Sequence, residues 1–451
     1  MRQMVVPFVV ILYLASRGSG SIVRANASGF SVLEYLLIPP MRQSANFKWV
    51  ILALAALTNA LVVAAPAMSL SVLFPEISRD LQLNLVQVGL VWGIGGLPGA
   101  LASLLGGAVG DRFGPRRMMV AGTMLAGLAG AARGLAGGFL PLLALVMLAG
   151  MLLPVVTMSS FKACGIWFPR RQLGLANGVL SMGMALGFLA GSFLSASLLS
   201  PWLGGWRQVQ FFYGALAVCF SLPWLFMPAA PRAAAAGVVV PAVPIRQALR
   251  QVTRLRDAWL LGLTIFGFGG CIQAMLGYLP LHLRAQGWQP FRADAALSLF
   301  HLTSLVCVLP IVLWSDRLGA RKRLLIVMGL TAAAGVGWLA LAQGFTVWLA
   351  VMLAGMTRDG FMALFMTLTI ETEGVGATYA GTATGFNMVF SGLGSLLAPP
   401  LGNKLAEVSA GMPFFFWACL ALGGVIFLSL TRAPQSNAPQ PAALLEGGNP
   451  P

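Results

Sequence analysis

Long apolar runs alternate with short charged turns along almost the whole chain. Twelve runs are readable, at roughly residues 48–73, 86–109, 117–136, 140–167, 173–199, 208–228, 258–281, 294–314, 322–343, 346–370, 377–402 and 412–431. Each suits an α-helix crossing a bilayer, which needs about 20 apolar residues for a core of ~30 Å. Lipid offers no partner for a bare backbone, so runs of this kind predict membrane-spanning helices, in which Gly and Pro are ordinary. In the fifth run Gly183, Gly187 and Gly191 recur every four residues, a spacing that admits a neighbouring backbone.

The longest connection, residues 229–257, divides the runs into two sets of six. This gives six-helix halves at 48–228 and 258–432, flanked by an N-terminal extension at 1–47 and a tail at 433–451. The halves repeat one another. Asp111 and Asp316 open similar charged turns 205 positions apart, and Gly-Leu-Ala-Asn-Gly at Gly174 matches Gly-Thr-Ala-Thr-Gly at Gly381 after 207. Gly187 and Gly394 each follow nine residues behind the second glycine of that motif. The expected fold is therefore all-α, with twelve transmembrane helices in two pseudo-symmetric bundles and a site between them near the midplane.

Composition agrees with a chain dissolved in lipid: 58% of residues are hydrophobic and 9% charged, and the mean hydropathy is +0.85. A soluble domain carries about 25% charged residues. The net charge of +16 sits in clusters between the runs and forms no continuous face, which argues against nucleic acid. With both termini cytoplasmic, 20 of the 28 basic residues fall on the cytoplasmic side and six on the other. Lys162 and Arg358 lie within runs. The positive-inside rule thus predicts a multi-pass protein of the inner membrane with both ends inside. In the central connection, arginines at helical spacing in PIRQALRQVTRLRD predict an amphipathic helix on the anionic inner leaflet. The five cysteines fall in apolar runs without metal or disulfide spacing.

The turn GAVGDRFGPRR, starting at Gly107 between the second and third runs, resembles the signature of the major facilitator superfamily. VLWSDRLGARK, between the eighth and ninth, resembles its weaker repeat, with Val312 where Gly would stand. WFPRRQLGLANG after the fourth run and GWRQVQFFYG before the sixth are similar to that family too. The resemblance covers about residues 48–432 and implies a transporter of two bundles, with Asp111 set against the start of span eleven. Asp316 would do the same toward span five, near Gly174. A carboxylate at a helix N-terminus contributes ~0.3–1 kcal/mol when exposed. Such a weak latch suits a protein that must switch states. Arg112, Arg116 and Arg117 can pair with the Asp111 carboxylate or with lipid phosphate, Gly107 allows close helices and Gly114 the turn, and Arg317, Gly319 and Arg321 belong to the same latch in the second copy. Plain topology anchors are the alternative reading of all these residues.

Charges within spans cost ~2.5–3.5 kcal/mol each and are candidates for function. Arg358 stands out, in the middle of the tenth run, where its planar fork could hold a carboxylate or an inorganic oxyanion. A structural pair with an acid of another helix is the alternative. Asp359 is adjacent, so on a regular helix the two side chains diverge by about 100° and do not fully neutralise one another. Lys162 is a second basic candidate, and Asn59, Gln273 and Tyr278 are polar candidates for the cavity wall or for bonds between helices. A coupling proton could use Asp359 or Glu371, since the first and seventh runs contain no acid.

The expected function is alternating-access transport of a small organic or inorganic anion by a monomer in contact with membrane lipid. No cofactor, metal or catalytic chemistry is expected: His282 and His301 are the only histidines, with no HExxH or GxSxG motif. The alternatives are an exporter of drugs or other lipophilic compounds and a non-transporting receptor. Residues 1–40 read as a signal-like leader or as sequence upstream of a true start at Met41, and they and the tail are expected to be disordered.

Overall fold

A computed structural model describes residues 47–102, 114–227 and 245–432. The described elements are helices. We number as α1 to α12 those that follow the twelve runs. In the first half they are α1 (Phe47–Asp80), α2 (Leu85–Ala102), α3 (Pro115–Ala132), α4 (Phe139–Trp167), α5 (Arg170–Leu194, continuing to Leu203) and α6 (Trp206–Leu225). The second half holds α7 (Arg256–Ala285), α8 (Pro290–Leu318), α9 (Arg321–Trp338), α10 (Phe345–Glu371), α11 (Gly376–Leu405) and α12 (Met412–Ser429).

Ten of the described helices have the length and apolar content to cross a membrane. The two that fall short are α9, which opens on Arg321, Lys322 and Arg323, and α11, which is rich in Gly, Ser, Thr and Asn. Both pack within the second half, α9 against α12 and α11 against α7.

Glycine fixes how the helices meet. A Cβ at Gly183, Gly187 or Gly191 of α5 would lie 2.7, 2.3 or 2.4 Å from the carbonyl oxygens of Ala56, Ala60 and Ala65 on α1. In the second half Gly394 of α11 meets the Phe266 carbonyl of α7 at 2.4 Å. Ala60 and Phe266 are 206 positions apart, and Gly187 and Gly394 are 207. The α1–α5 contact and the α7–α11 contact are therefore one contact written twice, as the repeat predicts.

Three boundaries differ from the apolar pattern. Helix α1 runs to Asp80 and α8 starts at Pro290, so each carries polar residues that the runs exclude. The tenth span is two segments, Phe345–Gly355 and Arg358–Glu371, parted at Met356–Thr357. Helix α1 also contains a π-helical turn over Asn59–Ala64. The linker helix (Ile245–Arg254) buries Ala248 and Val252, and Val252 packs in a small core with Val375 and Ala383 of the second half. Ala248 and Val252 are thus covered by protein, while Leu249, Arg246, Arg250 and Arg254 remain exposed.

The two halves meet at one end, where the 81–84 and 286–289 turns lie. There Gly93 of α2 faces Ser395 of α11, a Cβ at Gly93 falling 2.2 Å from its carbonyl oxygen, and Gly277 of α7 holds the Trp92 ring of α2. Hydrogen bonds across the same level run from Ser71 to the Leu276 carbonyl (2.6 Å), Trp92 to the Gln273 carbonyl (2.6 Å) and Asn403 to the Leu85 carbonyl (2.8 Å). Toward the other end, which carries Phe47 and Ser429, Gly174, Gly178 and Gly381 face open space.

Candidate functional site

The break in α10 makes Arg358 the first residue of a new helical segment. Thr357 ends the preceding turn, its hydroxyl donating to the Ala354 carbonyl (3.0 Å). In this position Arg358 and Asp359 do not diverge as they would on a continuous helix: Arg358 Nη1 donates to Asp359 Oδ1 at 3.0 Å. That corrects the expectation of poor mutual neutralisation, and its cause is the break. The side chains keep 22% and 29% exposure. The backbone N–H of Asp359 donates to Ser304 Oγ of α8 (3.1 Å), which fixes the segment's entry.

Arg358 also reaches across the molecule. Its guanidinium carbon lies 5.0 Å from the ring centroid of Phe188, on α5 of the first half. This is a cation–π contact, worth ~0.5–1 kcal/mol at an exposed site and more when desolvated. The same ring stacks with His301 of α8, with centroids 5.5 Å apart. His301 is 2% exposed, and neither ring nitrogen has a hydrogen-bond partner. A buried polar group without a partner is rare enough to call for a reason. Arg358, Asp359, Phe188, His301 and Ser304 thus form one centre at the seam between the halves.

The other polar candidates do not converge on it. Asn59 is fully buried at the start of the π-helical turn, with neither side-chain polar atom partnered. π-turns concentrate at functional sites. Gln273 lies at the seam, but its backbone carbonyl makes the bond there. Tyr278 turns into the second half, its hydroxyl donating to the Ala410 carbonyl (3.2 Å) and its ring against Phe414 and Trp417. Lys162 is half-buried near the end of α4.

Gly107, Asp111 and Arg112 lie outside the described residues. Gly114 and Gly319 have φ of 77° and 59°, where only glycine is unstrained. Arg116 donates to the Leu225 carbonyl, and Arg117 and Arg317 are exposed. Asp316 pairs with Arg321 of its own half (3.1 Å) and not with α5, and Arg321 also binds Glu371.

A second polar group, missed by the apolar pattern, lies in the sealed end. Asp294 of α8 is fully buried, and Arg284 Nη2 of α7 donates to both its oxygens at 2.9 and 3.1 Å. Ser197 of α5 donates to Asp294 Oδ2 (2.6 Å), and Ser200 to Glu76 Oε2 of α1 (2.6 Å). The ion pairs described here, Arg207–Asp80, Arg284–Asp294, Arg321–Asp316, Arg321–Glu371 and Arg358–Asp359, each close inside one half.

Two bundles of long apolar helices with a polar seam between them fit a membrane carrier, and the comparisons name its family. The sequence matches the Major Facilitator Superfamily over residues 52–399, with an overlapping match at 284–448. The chain belongs to the major facilitator superfamily. It is 25% identical over 395 residues to a probable sulfoacetate transporter, SauU, of Cupriavidus necator, covering 79% of this chain and 87% of that one. It is 28% identical over 345 residues to a probable nitrate/nitrite transporter, NarK2, of Mycobacterium tuberculosis, covering 71% and 80%. A crystal structure of the nucleoside transporter NupG superposes with a TM-score of 0.71 at 14% identity, over 84% of this chain and 99% of that one.

Proposed function

We propose that the protein is a secondary transporter that works by alternating access and carries a small organic or inorganic anion, with Arg358 as the anion-binding group. The observation that carries this reading is the place of Arg358: a partly exposed guanidinium at the seam, held by one carboxylate of its own half and one aromatic ring of the other. A planar fork of donors in a site of low polarity favours oxyanions over cations. The names of the relatives, a sulfoacetate transporter and a nitrate/nitrite transporter, both specify anions and support the same class. Basic residues concentrate at the end that carries Lys48 and Arg432, which supports reading that end as cytoplasmic and the sealed end as outer. The arrangement described is then the inward-facing one.

The test is a thermal-shift screen of purified protein against carboxylates, inorganic oxyanions, sugars and lipophilic cations, with wild type beside Arg358→Ala. A ligand at 100 times its Kd adds about 2.7 kcal/mol of stability. Anions should stabilise the wild type and leave Arg358→Ala unmoved. Equal stabilisation of both proteins by neutral or cationic compounds would sink the anion reading and return Arg358 to a structural role.

A further inference from the structure

We propose that Glu76, Asp294 and Arg284 form a proton-binding site built into the outer closure, so that sealing the outer end takes up one proton. The inference rests on the alternating-access reading above but not on Arg358 as the anion site.

The geometry starts from α5. Ser197, within a π-helical turn over Ser195–Leu199, and Ser200, just after it, each donate a 2.6 Å hydrogen bond to a carboxylate, Asp294 Oδ2 and Glu76 Oε2 respectively. One short stretch of α5 therefore holds two carboxylates, one from each half. Arg284 supplies one guanidinium, bound to both oxygens of Asp294. The remaining charged groups nearby are engaged or at the rim. Asp80 of α1 is held by Trp206 and Arg207, Arg79 and Arg292 are exposed, and His282 of α7 turns to Gln286 and Phe414. Two carboxylates against one guanidinium leave one negative charge, and Asp294 has no exposure at all. An uncompensated charge in a dry interface is costly. One proton from the outer water makes the cluster neutral.

The cluster is also divided between the moving parts. Glu76, Ser197 and Ser200 belong to the first half, Asp294 and Arg284 to the second. Opening the outer end parts Glu76 from Asp294, removes the Ser197 bond and hydrates both acids, which relieves the need for a proton. A site whose proton affinity depends on which end is open is, by linkage, a site through which protons bias that choice. Asp359 and Glu371 lack this property, since each is partly exposed and paired within its own half.

The experiment needs no substrate. Spin labels at Gly137→Cys and Ser409→Cys, exposed positions on outer loops of the two halves, are measured by double electron–electron resonance in protein whose five native cysteines are replaced by alanine. The short-distance population should grow several-fold between pH 8 and pH 5.5. Glu76→Gln and Asp294→Asn should each be closed at both pH values, with the acid response lost. Glu76→Gln, at the less buried acid, serves should Asp294→Asn fail to fold. A pH response kept by a folded variant, or none in the wild type while Gly93→Ala still yields a longer distance, would overturn the proton site. A single distance in the wild type and in Gly93→Ala at every pH would overturn alternating access itself, and this inference with it.

Discussion

At the residue scale the chemistry turns on how few charges are left inside the chain and on what each one faces. Arg358 has a carboxylate within 3.0 Å and still keeps part of its surface, so on the anion reading proposed above Asp359 and an incoming anion would compete for the same guanidinium. A partly exposed ion pair contributes at most ~1 kcal/mol, which is about fivefold in affinity. Asp359→Asn is accordingly expected to tighten anion binding several-fold in a ligand titration, whereas weaker binding would mean that Asp359 orients Arg358 instead. Arg358 was legible in the sequence because a charge inside an apolar run has few innocent explanations. Asp294 and Glu76 were not. Glu76 lies beyond the first run and reaches the interface only through the extra turns of α1, while Asp294, the first residue of the eighth run, reads there as an ordinary charge at a span end. His301 gave no signal, since the lack of partners for its nitrogens depends on packing that no single residue encodes.

At the element scale, glycine does two different jobs that the sequence alone could not separate. Gly187 lets α1 and α5 touch inside one half, while Gly93 lets α2 and α11 touch across the seam. Overpacking a close contact costs ~1–3 kcal/mol. Gly187→Ala should lower the Tm without favouring either orientation. Gly93→Ala should leave the half intact and move the population toward the outward-open state, by roughly fivefold to 150-fold for that energy. Labelling of a cysteine near the outer seam, compared with thermal stability, separates the two: if both variants lose stability alike and neither gains outer accessibility, the distinction is wrong. The spacing of the α5 glycines was readable as a packing stripe; their partner helix was not. The break in α10 was invisible too, for Gly-Met-Thr-Arg-Asp-Gly reads as well within a continuous helix.

For the whole molecule the repeat was the strongest signal in the sequence, and the matched contacts of α5 with α1 and of α11 with α7 bear it out. What the repeat does not specify is which end is sealed. Asp316 is exposed and paired with Arg321, and among the described residues no partner from the first half is seen. If it latches onto α5 when the cytoplasmic end closes, Asp316→Asn should leave the Tm within about 1 kcal/mol equivalent of wild type yet slow transport in proteoliposomes. A large loss of stability with normal transport would assign Asp316 to the fold alone.

The confinement of the described ion pairs to single halves has a consequence for how the protein senses its surroundings. Dissolved salt weakens attractions between exposed charges over a Debye length of about 8 Å at physiological ionic strength. Across the seam the described contacts are neutral hydrogen bonds, glycine packing, one arginine over a ring and a buried serine–carboxylate bond, none of which is an exposed pair of opposite charges. Changes of ionic strength should therefore leave the strength of the closure at the sealed end nearly unchanged.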